Sequence, residues 1–344
     1  MKSLRTRVFL AVLVLAASAG AFGQSASSSS SANESHQANS PNIPSAGGRN
    51  RPASVPDGYV ITPFGYFHPS CVQSLAKGER LLADGRVQHP DGTLEENVGV
   101  CSYQRYTPTG QPVNAGGAKM STRKIGGTVT KTSPEVNGWI ENANVTTGSA
   151  TKSYGALIAI WTVPPQPIAN DGQVLYFFPG FEDINDFQTS ILQPVLGWYQ
   201  GQWSIASWNC CLNNIVTNSP AVNVSPGDVI YGSITSTCPA GTLSCTTWNV
   251  LSLDLFTGES TTLSDTPSQG QVFNWAFGGV LEPYYVITCD DYPSNRQISF
   301  YNEVLDEHLH PIIDPKWATV SNSSQTPQCN YDVKVTPNEV KLDY

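Results

Sequence analysis

Charge is scarce in this 344-residue chain: 13% of its residues are Asp, Glu, Lys or Arg, against roughly 25% in an ordinary soluble domain. A surface built instead from Ser, Thr, Asn, Gln and Gly changes little with pH, which suits work outside the cell and in acid. Histidine is scarce too. The five are His36, His68, His89, His308 and His310. A Ser-His-Asp triad is therefore poorly supplied, and imidazole would be protonated in acid. There is no G-x-S-x-G elbow and no H-E-x-x-H helix, so two common hydrolase signatures are missing. No C-x-x-C pair or ordered Cys/His set points to zinc, and no cofactor is expected. His308-Leu309-His310 could set two imidazoles on one strand face, but Pro311 favours a solvated turn. Past the N-terminus no stretch approaches ~18 consecutive apolar residues, the length of a membrane span.

The N-terminus itself has the layout of a secretory signal. Lys2, Arg5 and Arg7 precede the apolar run Val8 to Ala17, and Ala19-Gly20-Ala21 is a small-residue cleavage site. The expected organisation is a signal peptide at 1–21 and a disordered Ser/Asn/Pro-rich linker at 22–56. A small propeptide-like region at 57–132 and a catalytic-like domain at 133–344 follow. Localisation is expected to be extracellular or periplasmic, with a soluble, monomeric mature form and no membrane partner. Eight cysteines follow the signal, and an even count in an exported chain reads as disulfides. Sequence does not fix the pairing; the local guesses are Cys71 with Cys101 and Cys238 with Cys245.

From Ser133 onward the pattern is β. Short apolar or alternating runs include Tyr154–Val163, Val174–Phe178, Ser190–Trp198, Trp203–Trp208, Asp228–Ile234, Trp248–Leu255, Val272–Leu281 and Gln297–Tyr301. Thr257-Gly258-Glu259 turns one run into Ser260–Leu263. No long segment shows helical period, so a sandwich is expected, with a barrel as the other possibility. Charge divides along the chain. Residues 24–132 carry 10 basic and 7 acidic groups, whereas residues 133–344 carry 5 and 20. The two parts should attract at neutral pH and release as carboxylates protonate. The acidic C-terminal part argues against a nucleic-acid partner.

Chemistry has few places to sit. Gln193 lies in Ser190-Ile191-Leu192-Gln193-Pro194-Val195, and Glu282 in Gly278-Gly279-Val280-Leu281-Glu282-Pro283-Tyr284. On pattern alone, Gln193 could be a satisfied core amide and Glu282 a solvated strand end. Glu182, Asp183 and Asp186 crowd a stretch that reads as a solvated loop tip.

Several segments, in order, resemble the glutamic peptidases, or eqolisins. They are Trp161-Thr162-Val163-Pro164, Phe177 to Glu182, Ile191-Leu192-Gln193, Trp203 to Trp208, Val224 to Asp228, Leu253 to Leu263, and Val280-Leu281-Glu282. The neprosins, a related secreted family, use two glutamates, and Gln193 favours the glutamine–glutamate version. The resemblance implies a concanavalin A-like antiparallel β-sandwich of jelly-roll type. It also implies catalytic Gln193 and Glu282, substrate contacts from Phe178, Glu182, Trp198 and Trp208, and a protein or peptide substrate. The chain departs from the family at Phe178 and Glu182, which replace a tryptophan and an aspartate. It departs again at Gly197, where the family usually has an acidic residue, and at Ala206-Ser207-Trp208-Asn209, which replaces a Trp-Tyr-Glu-Trp strand and lacks its glutamate. The other class of function compatible with the sandwich is a non-catalytic, lectin-like carbohydrate-binding module.

Overall fold

The computed structural model describes residues 43–47, 51–97, 99–113, 138–185, 191–322 and 327–344. The expected signal peptide, most of the expected linker and residues 114–137 lie outside them. Seven short strands come first: β1 (Val60–Thr62), β2 (Gly65–Phe67), β3 (Val72–Ser74), β4 (Arg80–Leu81), β5 (Val87–Gln88), β6 (Arg105–Tyr106) and β7 (Pro112–Val113). Then come β8 (Glu141–Thr146), β9 (Tyr154–Thr162), β10 (Val174–Glu182), β11 (Ile191–Tyr199), β12 (Gln202–Cys210), β13 (Val216–Asn218), β14 (Val222–Val224) and β15 (Val229–Ser236). The rest are β16 (Thr247–Asp254), β17 (Ser260–Pro267), β18 (Trp275–Tyr284), β19 (Gln297–Asp306), β20 (Ala318–Ser321), β21 (Asp332–Thr336) and β22 (Glu339–Asp343).

Fifteen of these strands, with β3, build an all-β sandwich. One sheet runs β20-β8-β18-β10-β11-β12-β13-β3 with β14 beside β12, and the other runs β17-β16-β15-β9-β19-β22-β21. Strand alternation decides which side chains meet. In β16, Trp248, Val250, Ser252 and Asp254 are buried while Thr247, Asn249, Leu251 and Leu253 are partly exposed. Asp254 then accepts from Phe256 N and Thr257 Oγ1, and Gly258 at φ +77° completes the turn into β17. Between the sheets lies an aromatic core that includes Trp161, Phe177, Phe181, Trp198, Trp203, Trp248 and Phe300. Both locally guessed disulfides form, Cys71–Cys101 and Cys238–Cys245, together with Cys210–Cys211 and Cys289–Cys329.

The outer face of the larger sheet is covered by the N-terminal part of the chain. Ile43, Ala46, Tyr59, Ile61, Tyr66, Phe67 and Val72 share one buried cluster with Val174, Tyr176, Phe178, Val195, Trp208, Val280 and Tyr284. β3 adds to the sheet edge in parallel with β13. Gly65 permits the tight approach of β2 to β6: it sits at φ +108°, and a Cβ there would come 2.1 Å from the Tyr106 carbonyl oxygen. The contact is chiefly apolar. Arg80 of β4 instead pairs with Asp265 of β17, in the second sheet, at 2.6 Å.

Candidate active site

β18 and β11 do not neighbour each other, because β10 runs between them. In β18, Leu281 enters the inter-sheet core, so Glu282 faces outward with Val280 and Tyr284. In β11, Leu192 and Leu196 face inward, so Gln193 shares the outer face with Val195. The two expected residues therefore lie on one face of one sheet, and both are wholly buried.

Register sets the spacing. Glu282 is opposite Tyr176 on β10. Gln193 is level with Gly180: a Cβ added there would come 3.3 Å from Gln193 Cγ. Tyr176 and Gly180 are four positions apart, about 13 Å of strand. Phe178, opposite Val280, stands between the two levels. No hydrogen bond joins Glu282 to Gln193, and neither amide atom of Gln193 has a partner.

Two prolines shape this spot. The β10–β11 ladder runs through Phe177↔Leu196 and resumes at Phe181↔Leu192, and that register sets Pro179 across from Pro194. Neither residue has an N–H to give. β10 also shifts register against β18 between Phe178 and Gly180. Pro194 thus sits in an interior strand at a gap in its ladder, instead of at a sheet edge.

Glu282 is held from two sides. Trp139 Nε1 donates to its Oε2 at 3.2 Å, and the Tyr284 hydroxyl lies 2.9 Å from its Oε1. The same hydroxyl lies 2.8 Å from the Thr62 carbonyl oxygen. One phenolic proton cannot serve both acceptors; a protonated Glu282 donating to Tyr284, which donates to Thr62, satisfies all three. Burial agrees with this, pushing the Glu282 carboxyl well above its ordinary range, while the bonds from Tyr284 and Trp139 pull the other way.

Glu182 is the second glutamate of this face. Phe181 beside it enters the inter-sheet core, so Glu182 points outward like Gly180. Expected in a solvated loop tip, it is instead the last residue of β10, fully buried, with neither carboxylate oxygen partnered. Burial raises its pKa strongly, and the adjacent Asp183 carboxylate adds to this. Asp183 is buried as well and accepts from Val272 N and Asn185 N, pinning the chain after the strand. Asp186 lies outside the described residues.

Of the expected substrate contacts, Phe178 and Trp208 share the outer face, Trp208 lying opposite Gln193. Trp198 does not. It is opposite Trp203, and the alternation of β11 turns it into the inter-sheet core, 5.0 Å from the Trp203 ring. The sequence reading missed Trp139, which bonds Glu282 and packs edge-on against Phe178 and Phe277. Its only signal is a lone tryptophan just ahead of the first long strand. His308 and His310 sit at an exposed turn, where their backbone N–H groups donate to Asp306.

Several solved peptidase structures are similar to part of this chain. Scytalido-glutamic peptidase with a transition state analog inhibitor is 18% identical, over 60% of this chain and 97% of that one, with a TM-score of 0.41. SCP-B, an eqolisin-family peptidase in complex with the tripeptide Ala-Ile-His, is 18% identical over 60% and 98%, with a TM-score of 0.38. Aspergilloglutamic peptidase from Aspergillus niger is 19% identical over 50% and 98%, at 0.38. The resemblance is to the glutamic peptidases. At these identities and scores it assigns no role to any residue of this chain. No protein-family model matches the chain, and no curated protein matches it.

Proposed function

We propose that this chain is a secreted, acid-acting glutamic endopeptidase held latent by its N-terminal part. The observation that carries the reading is the covered face itself. Two glutamic acids and one glutamine, all wholly buried, lie on the outer face of one sheet, and the N-terminal part of the chain packs against apolar side chains of that same face. Polar groups buried this way are rare unless they are used. Four disulfides support export to an oxidising compartment.

The chemistry needs a carboxyl and an amide. Once the face is open to water, a carboxyl there falls back toward its ordinary range, so in mild acid both protonation states exist. The carboxylate takes a proton from water, and the water oxygen bonds to the peptide carbonyl carbon. Gln193 donates an amide N–H to the oxyanion that forms, and stays a donor at any pH. One such donor is worth roughly 2.7–4 kcal/mol of transition-state stabilisation. The carboxylic acid then protonates the leaving nitrogen as the C–N bond breaks. Glu282 is the carboxyl that the sequence resemblance assigns to this role. Phe178 and Trp208 flank the face as apolar contacts for substrate side chains.

The test is digestion of casein or haemoglobin by the full-length secreted chain from pH 2 to 7, with pepstatin present. Nicking of residues 43–113 is followed on gels in the same samples. Acid proteolysis that appears with nicking, and falls at least 100-fold in Gln193→Ala, is the expected result. A folded, nicked chain that digests nothing at any pH sinks the peptidase and leaves a binding sandwich.

A further inference from the structure

We infer that Glu182, and not Glu282, is the general base that works with Gln193. This rests on the peptidase reading above and names the carboxyl that reading needs. Geometry carries it. Gln193 is level with Gly180, and Glu182 is two positions further along the same strand and on the same face. The two side chains are therefore diagonal neighbours across adjacent antiparallel strands, a separation of about 7–8 Å between backbone positions that long side chains span. Gly180 carries no side chain, so nothing on β10 rises between them. Phe178 does rise between Gln193 and Glu282, and an entire strand separates those two.

Their partners differ in the same sense. Glu282 is engaged by Trp139 and by the Tyr284 hydroxyl, which reaches on to Thr62. Both oxygens of Glu182 and both amide atoms of Gln193 are buried without partners. Groups left unpartnered in a buried place destabilise the fold that holds them. As diagonal neighbours on one face, Glu182 and Gln193 supply an acceptor and a donor that no group among the described residues engages. Glu182 is opposite Trp275 on β18, and the pairing of Phe181 with Leu192 sets it level with Ile191 on β11, so both flanking residues are apolar.

In the reaction, the Glu182 carboxylate removes one proton from water, and the water oxygen forms its bond to the carbonyl carbon. The carbonyl π pair moves onto the oxygen held by Gln193 Nε2–H. Collapse re-forms the carbonyl and breaks the C–N bond, and the proton on Glu182 passes to the departing nitrogen. Glu182 ends as the carboxylate it began as. Glu282 is then a positioning residue that ties Trp139 and Tyr284 to the sheet.

Two measurements on the full-length chain test this. In the digestion assay, Glu182→Gln lowers kcat at least 100-fold with KM nearly unchanged, whereas Glu282→Gln lowers kcat less than tenfold. Thermal melts check that each variant folds. The second measurement needs no activity: infrared spectra of chain labelled with 13C-glutamate at neutral pH, where buried protonated carboxyls give separate C=O bands. The Gln193→Ala change should shift the band that Glu182→Gln deletes, and leave in place the band that Glu282→Gln deletes. A shift of the Glu282 band, of both bands or of neither overturns the pairing, as does equal loss of kcat in both glutamate variants. If wild type digests nothing, the peptidase reading fails while the infrared result still decides the pairing.

Discussion

The larger sheet has two buried faces, and they differ in what buries them. Its inner face meets the second sheet through Phe177, Phe181, Leu192, Leu196, Trp198 and Trp203. Its outer face is closed by the N-terminal part of the chain, and there Glu182, Gln193 and Glu282 sit among apolar neighbours. The inner face has the composition of a permanent core. The outer face has a core's burial without a core's composition, as expected of a surface made for a ligand and presently closed by a piece of its own chain. The difference teaches that burial alone does not mark a core; the partner that supplies it matters.

The sharpest way to test that contrast is to damage the inner face. Phe177 is fully buried and packs against Trp203 and Tyr344. Phe177→Ala should cost about 3–5 kcal/mol, read as a lower denaturant midpoint for the whole chain. A loss confined to the N-terminal cover would contradict the division into two faces.

The inner face holds a buried carboxyl as well, and pH should expose it. Glu141 lies opposite Leu281, which faces the inter-sheet core, and is fully buried. Its carboxyl is pushed from 4.5 up to about 9 by burial, opposed by the Asp332 backbone N–H and reinforced by the carboxylates of Asp343 and Asp332. A folded pKa above the unfolded one means stability that is complete below about pH 4.5 and is lost as pH rises toward 9. Glu182 and Glu282 are shifted in the same direction. These three groups therefore favour the folded chain in acid. Glu141→Gln should flatten the pH dependence between 4.5 and 9 by a few kcal/mol, on the scale of 1.36 kcal/mol per pKa unit. Thermal midpoints from pH 4 to 9 that do not differ between wild type and variant would refute this.

The smallest effect is expected where the cover meets the sheet. Arg105 is buried and lowered to about 10 by that burial. Its Nη1 lies 2.8 Å from Cys211 Sγ and its guanidinium sits 5.9 Å from the Phe67 ring, with no carboxylate bridged to it among the described residues. An uncompensated buried charge is replaced at little cost by an apolar group of similar length. Arg105→Met should leave stability within about 1 kcal/mol of wild type, or raise it. A loss above 2 kcal/mol in chemical denaturation would show that the charge is compensated after all.

Much of the strand content was legible in the sequence because alternation is a local, period-two property. The run Gln297–Tyr301 reappears as the start of β19, and Trp203–Trp208 lies within β12. Alternation also put Glu282 with Val280 and Tyr284, and Gln193 with Ile191 and Val195. The resemblance misplaced Trp198, which alternation turns to the face opposite to that of Gln193. Alternation failed for Glu182 because a cluster of acidic residues reads as a loop unless the end of the strand is known.

The sequence by itself determined most of the long strands and the alternation of side chains between their faces. Each of these rests on interactions between residues near in the chain. Tertiary structure alone decided that β10 lies between Glu282 and Gln193, that Gly180 opens toward Gln193, and that the N-terminal part closes the face. Strand order and register come from long-range burial, and a shift of a few residues moves a carboxyl out of reach without altering any local pattern.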